Sequence, residues 1–318
     1  MISQELARKA QRLIAELGAT EAARQFGVSR ETVRRYARKH RQEKEQSGPS
    51  IESKVMRQLA ERYSGDELRA MVTGSYCAVA KKSPRVNFNG DVITIGIIAD
   101  THIGSKFTST THIDQAREVF EGEGVDLVCH CGDVFEGLSH RPGHVYECTH
   151  LGYAAQLKEG VRIFSEWDFA PMYFIDGNHD RWYLKSSGAL IVEELCRRLP
   201  NAEYLGNDEG DIDANGVTIR LWHGEDGSSY AASYRIQKII ESFTGGEKPN
   251  VLLCGHAHKS IYIFDRHIHA IGAGSMQSQS RWMRSKRLAS HTGFWTVRMT
   301  INEGGVATFA PTFYPLYV

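Results

Sequence analysis

Five places along the chain of 318 residues carry side chains that bind divalent cations, each just after a short apolar run. They are Asp100-Thr-His102, Gly132-Asp133-Val-Phe-Glu136, Gly177-Asn178-His179-Asp180, His223-Gly224 and Gly255-His256-Ala-His258. Carboxylate, imidazole and amide oxygen suit divalent manganese, iron or zinc, and the lack of thiolates in the set argues against a structural zinc knot. Two such ions about 3.5–4 Å apart can share a bridging carboxylate and clamp both oxygens of an in-line displacement at phosphorus. A leaving alkoxide needs a proton, and an imidazole titrating near neutral pH can supply one. Glycines beside the ligands let the backbone turn sharply and approach the ions.

The apolar runs are the elements that must position these groups. Residues 92–99, 126–131, 172–175, 217–222 and 251–254 are short, apolar and β-branched, and read as strands. Helices are predicted around 113–122, 150–167, 188–199 and 230–243, so strand and helix alternate from about residue 91 in an α/β pattern. Residues 261–318 are strand-rich and are expected to complete a second sheet. Ligands in open α/β sheets gather at the carboxyl ends of strands, so the five tips should converge.

In this order the motifs resemble those of the calcineurin-like metallophosphoesterase superfamily: D-x-H, G-D-x-x-[DE], G-N-H-[DE], H and G-H-x-H. One such motif would mean little; five in order over residues 100–258 are specific. The resemblance covers roughly residues 91–318 and leaves out the N-terminal helices. It implies a two-sheet α/β/β/α sandwich. It also implies two divalent metal ions, with Asp100, His102 and His258 on the first, Asn178, His223 and His256 on the second, and Asp133 bridging. His179 would then protonate the leaving-group oxygen or stabilise the transition state without binding metal. Glu136 matches the position that orients this histidine in relatives, and Asp180 is the alternative. Manganese is the metal expected in assay, with iron or zinc as native candidates, because availability as well as affinity decides the occupant.

Two departures bear on substrate. Ser/Thr protein phosphatases of the superfamily continue the second motif with Arg-Gly and use G-N-H-E, whereas here Gly137 and Leu138 follow Glu136, and Arg181 follows G-N-H-D. The strings ADTHIG, CGDVFEG and GNHD are more similar to the nuclease subunit of the double-strand-break repair complex and its bacterial exonuclease relative, which implies a DNA nuclease. Arg181 and the loop bearing Arg281 and Arg284, with Lys286, Arg287 and an interleaved Trp282, are candidate contacts to substrate phosphate. A plain surface loop is the competing reading. His140, His144 and His150 are expected to be surface or core histidines, and Cys129 and Cys131 to be buried packing.

The chain is 41% apolar and 24% charged, with 38 basic residues against 38 acidic ones, which excludes a wholesale basic coat. The balance hides an asymmetry: residues 1–48 hold 11 Lys and Arg against 6 Asp and Glu, net +5, which points to a nucleic-acid contact at that end. Leu6, Ala10, Leu13, Ile14 and Leu17 form a helical stripe that Gly18 ends. Thr20 can cap a short helix with Ala22, Ala23 and Phe26. Gly27 turns the chain, and Ser29 caps a third helix with Val33, Tyr36 and Ala37 inward. Arg30, Arg34, Arg35 and Arg38 on that helix are candidate DNA contacts of a helix-turn-helix. Docking to another protein and a solvated face are the alternatives.

The expected organisation is 1–45 helix-turn-helix, 46–90 linker and spacer helix (helical over 53–73), and 91–318 metallophosphoesterase domain. DNA is the expected partner. A homodimer is conceivable because helix-turn-helix proteins often bind in pairs, and no partner module is expected. No apolar stretch is long enough to span a bilayer, and the six scattered cysteines together with an N-terminus unlike an export signal point to the cytoplasm. The arrangement would suit a phage protein. The competing functions are a phosphomonoesterase or nucleotide phosphatase, and a DNA-binding regulator whose phosphoesterase domain acts as a sensor.

Overall fold

The computed structural model describes residues 4–46, 83–139, 141–224, 231–244 and 246–317. The expected spacer helix over 53–73 and His140 lie outside them. The chain divides into two compact units, residues 1–77 and 78–318.

The larger unit is two stacked sheets of six strands each, as far as the described residues go. One sheet contains β2 (Val92–Ile98), β3 (Leu127–His130), β4 (Met172–Asp176) and β5 (Ala202–Asn207), with β11 (Gly293–Asn302) and β12 (Gly305–Pro315) at its other edge, in the order β12-β11-β2-β3-β4-β5. The other contains β1 (Arg85–Val86), β6 (Glu209–Ala214), β7 (Val217–Trp222), β8 (Val251–Cys254), β9 (Ser260–Asp265) and β10 (Ile268–Ala273), in the order β1-β6-β7-β8-β10-β9. The C-terminal strands are thus shared between the sheets, since β9 and β10 close one and β11 and β12 the other. The short β1 pairs with β6 ahead of residue 91, inside the stretch read as linker.

Strand β2 explains the layering. Side chains alternate across a strand. Ile93, Ile95 and Ile97 point into the core between the sheets, where they meet Leu127, Ile219, Leu221 and Leu253. Ile98 points the other way, into a core with Phe120, Phe164 and Trp167. A strand buried on both faces must be apolar throughout, which is why it reads as an uninterrupted run. The outer core is roofed by α3 (Thr110–Glu123), α4 (Gly152–Phe164), α5 (Arg181–Ser187) and α6 (Ile191–Arg198). On the far side, Ile236 and Ile240 of α7 (Tyr234–Ser242) pack on Leu252 and Ala270. The molecule is therefore the expected α/β/β/α sandwich. No helix among the described residues is long and apolar enough to cross a membrane.

The smaller unit holds α1 (Gln4–Phe26), broken at Gly18 (φ 78, ψ 162), and α2 (Arg30–Gln46). Ser29 caps α2 by accepting the Thr32 N–H at 3.2 Å. Ala10, Ala22, Ala23 and Val33 form a small core, with Phe26 edge-on to Tyr36 at 6.4 Å. The α1 stripe differs from expectation at Leu6 and Leu17, which stay exposed while Ala10, Leu13 and Ile14 before the Gly18 break and Ala22, Ala23 and Phe26 after it meet Val33 and Tyr36.

The face of β2 toward the helices carries one vacancy by design of the sequence, at Gly96. A Cβ there would lie 2.7 Å from the Phe120 ring, so the ring of α3 sits directly on the strand backbone. Gly96→Ala should therefore overpack this core and cost about 1–3 kcal/mol, read as a lower urea midpoint with an unchanged m-value.

Candidate metal centre

β2, β3 and β4 run parallel, so their carboxyl ends lie along one edge, and β7 and β8 run parallel in the other sheet. Asp100 and His102 follow β2. Asp133 and Glu136 follow β3, and Asn178, His179 and Asp180 follow β4. His223 follows β7, and His256 and His258 follow β8. Five of these residues take left-handed backbone: Asp100 (φ 52), His102 (φ 45), Asp133 (φ 50), His256 (φ 68) and His258 (φ 51). Such backbone costs a non-glycine residue on the order of 1–3 kcal/mol and persists only where the surroundings fix it. Here the loops are tied to one another. Asp100 N–H donates to the Gly132 carbonyl at 3.0 Å and His102 N–H to that of Asp133 at 3.1 Å. His256 N–H donates to the Asp100 carboxylate at 3.1 Å, and His179 N–H to Asp133 Oδ1 at 2.8 Å.

The side chains converge. His258 Nε2 lies 3.2 Å from Asp100 Oδ1 and 3.3 Å from His102 Nε2. His223 Nε2 lies 3.3 Å from Asp133 Oδ2 and 3.2 Å from Asn178 Oδ1, which is 2.7 Å from His256 Nδ1. Asp133 reaches both groups, because its Oδ2 is also 3.8 Å from His102 Nε2. In each of the triads Asp100/His102/His258, Asp133/His223/His256 and His102/Glu136/His179, one ligand atom per residue lies within 4.8 Å of the others. Gly177 makes the approach possible: a Cβ there would sit 2.2 Å from Asp133 Oδ1 and 2.6 Å from His223 Nε2.

The donor set fits two divalent cations. It offers two carboxylates, an amide oxygen and four imidazoles on a buried floor, a mixture that suits borderline metals. Asp100, His102, Asp133 and His223 are all at most 2% exposed, and His258 Nδ1 is buried without a hydrogen-bond partner. The buried charges of the cluster shift one another's proton affinities. Burial favours the neutral acid at Asp133, but His223 and His179 outweigh it and hold the carboxyl well below its usual range. Burial lowers the proton affinity of His102, yet Glu136 and then Asp133 and Asp100 raise its pKa to about 9. His223 rises to about 9 in the same way, with Asp133 the main attraction. His256 falls to about 4 through burial and the neighbouring His223.

His179 is fixed by a carbonyl. Its Nδ1 lies 2.8 Å from the Glu136 backbone oxygen, which can only accept, so Nδ1 carries the proton. Its ring lies against Trp182, tilted by 35° with centroids 4.0 Å apart. Burial lowers its proton affinity, although Asp133 pulls the other way. Neither of the two carboxylates considered for orienting His179 touches its ring. Asp180 accepts backbone N–H groups from Val134 (3.1 Å), Phe135 (2.8 Å) and Gly177 (2.8 Å), and burial raises its pKa to about 8. The Glu136 carboxylate instead meets His102, His144 and Gln277.

The other candidate residues are placed differently. Arg181 is buried and ion-paired with Asp208, so its charge is engaged within the fold. Arg281 and Arg284 are exposed on α8 (Arg281–Ser285), which Ser280 caps and buried Met283 anchors. Trp282 is also exposed, and the Arg141 guanidinium lies over it at 5.6 Å. Arg30, Arg34, Arg35 and Arg38 are exposed on α2. Cys129 and Cys131 are buried between the sheets, and His144 is buried too. Sequence reasoning missed Trp182, three residues after His179 in the same turn, and Gln277, whose partner Glu136 is 141 residues away and leaves no local pattern.

A model of the calcineurin-like phosphoesterase superfamily domain matches residues 93–286, more than half of the chain. The DNA polymerase II small subunit of Methanothermobacter thermautotrophicus is 23% identical over 246 residues, 63% of this chain and 51% of that protein. The chain thus spans about half the length of that relative. Among solved structures, an archaeal phosphodiesterase is 18% identical with a TM-score of 0.42, covering 70% of this chain and all of its own. A phosphoesterase from E. coli is 17% identical with a TM-score of 0.38, covering 69% of this chain and 98% of its own.

The shifted histidines make stability depend on pH. His102 and His223 bind protons more tightly folded than unfolded, so the folded chain carries the extra protons between the free histidine value of 6.5 and about 9. Their contribution is complete below that window and is lost as pH rises through it. Asp180, raised to about 8, acts in the same sense. The chelated protein should therefore lose stability to urea between pH 6.5 and 9.5, and added Mn2+ should displace protons at pH 7.5. Calorimetry in buffers of different ionisation enthalpy reads that release.

Proposed function

The chain belongs to the calcineurin-like phosphoesterase superfamily, and from that membership we propose that it is a dinuclear-metal phosphodiesterase acting on DNA, a nuclease brought to its substrate by the N-terminal helices. Asp100, His102 and His258 would hold one cation, Asn178, His223 and His256 the other, with Asp133 shared. Bound there, the ions would neutralise charge at phosphorus and lower the proton affinity of a water.

The remaining work falls to side chains. His179, with Nδ1 committed to the Glu136 carbonyl, has Nε2 left for the leaving oxygen. Donating from Nε2 requires the ring to be charged, a state that an anionic phosphoester favours. Trp182 fixes the plane of the ring from its face. Asp180 ties the β3 and β4 loops together, so that His179 and Asp133 keep their relative positions.

The observation that carries the diester reading is the face beside the centre. Gln277 donates to Glu136 at 3.1 Å, and α8 starts four residues later with Arg281, Trp282 and Arg284 outward. Cations interleaved with an exposed aromatic suit a nucleic-acid strand, because phosphates and base faces are met together. A small monoester would need no such extended face. The arginines of α2 would raise the local concentration of DNA, as a second binding element does. The name of the Methanothermobacter relative points to DNA as well.

Full-length wild type, His179→Ala, Arg281→Ala/Arg284→Ala, and a variant with Arg30, Arg34, Arg35 and Arg38 all changed to Ala should be compared with Mn2+ on bis-p-nitrophenyl phosphate, p-nitrophenyl phosphate, and labelled single- and double-stranded DNA. His179→Ala should lose about 10²–10⁴-fold in turnover of the diester and of DNA. The α2 variant should lose DNA cleavage but keep diester cleavage, and its log affinity should fall less steeply with log salt, by about one unit per lost phosphate contact. Cleavage of the monoester alone would overturn the nuclease reading.

A further inference from the structure

We propose that His144, which lies outside every sequence motif, is a positioning residue of the metal centre: it holds the Glu136 carboxylate against His102 and so fixes which nitrogen of His102 faces the other ligands. The proposal rests on the metal-centre reading above and adds a residue to it.

The protonation pattern of His144 follows from its partners. The Ser139 backbone N–H donates to His144 Nδ1 at 3.1 Å, so Nδ1 holds the lone pair and the ring proton sits on Nε2. Nε2 donates to Glu136 Oε1 at 2.7 Å. The second carboxylate oxygen, Oε2, accepts from Gln277 Nε2 at 3.1 Å and lies 3.1 Å from His102 Nδ1. Gln277 also donates to Ser105 Oγ at 2.9 Å, which pins its amide. Glu136 is therefore gripped at both oxygens.

His102 Nδ1 faces that carboxylate at 3.1 Å as a charge contact without completing a hydrogen bond, which leaves Nε2 as the nitrogen toward the cluster, 3.8 Å from Asp133 Oδ2 and 3.3 Å from His258 Nε2. A carboxylate behind a ligating imidazole fixes its tautomer and raises its basicity, and losing such a partner typically weakens metal binding 10- to 100-fold. His144 itself has no nitrogen left for substrate, and it is 1% exposed. Its ring also meets the edge of Trp182 at 5.4 Å, the residue that lies against His179. One histidine thus braces both the ligand branch and the proton-transfer branch of the site. No other group among those facing Glu136 can replace it, since Gln277 and His102 occupy the opposite oxygen.

The test is calorimetric titration of the full-length chain with Mn2+, alongside melting temperatures, for wild type, His144→Leu, His144→Gln and Gln277→Met. Wild type should take up two ions. His144→Leu should weaken one site roughly 10- to 100-fold and leave the other within about threefold of wild type. His144→Gln, whose amide N–H can still reach Glu136, should recover most of that loss. Gln277→Met should weaken the same site, and it carries the test if His144→Leu does not fold. Unchanged affinities with only a lower melting temperature would overturn the proposal, as would equal weakening of both sites. A wild type that binds no Mn2+ would sink the metal-centre reading itself, an outcome visible before any variant is compared.

Discussion

A carboxylate taken out of water must be met by charge or by hydrogen bonds, and Asp133 sets that demand for the whole molecule. It is 2% exposed and lies between His102 and His223, with the His179 N–H on its other oxygen. Each of those partners comes from a different loop. The left-handed backbone at the ligands, the missing Cβ at Gly177 and the ties between loops all follow from bringing three chain segments to one carboxylate. The backbone ties between these loops, Asp100 N–H to the Gly132 carbonyl and His102 N–H to that of Asp133, then hold Asp100, His102 and Asp133 in conformations that side chains normally avoid.

Around this floor lies a second ring that spreads the load. Asp180 receives three backbone N–H groups and locks the β3 and β4 loops into one piece. Glu136 locks the β2 and β3 loops to the segment at Gln277. The two carboxylates that follow the G-D and G-N-H motifs thus act on different neighbours, one on backbone and one on side chains. Meanwhile His179 is oriented by a main-chain oxygen, which no substitution of a side chain can remove.

Much of this was legible in the sequence, for a physical reason. Strands buried on both faces are mostly apolar, so β2, β3, β4 and β8 stand out, while β7 shows the alternation of a strand with one buried face, and the ligands stand out at their ends. Strands β5 and β6 do not: AEYLGN and EGDIDA carry polar side chains and hold their place through pairing with neighbours. The helix predicted over 188–199 is α6, and the separate short α5 before it gave no periodic signal. The backbone at the ligands was equally hidden. Positive φ is ordinarily a glycine trait, yet here the candidate metal ligands themselves adopt it. Partners such as His144 and Trp182 lie only eight and three residues from Glu136 and His179, but irregular loop backbone and a short helix, not a regular repeat, bring them together, so no period in the sequence marked them.

The centre is divided between the two sheets. Asp100, His102, Asp133 and Asn178 issue from one, and His223, His256 and His258 from the other. Each group of ligands draws on both. A chain with one sheet formed and the other undocked therefore owns only fragments of either group. Cations held as proposed would act as rivets across the interface, opposing any motion that would slide one sheet over the other.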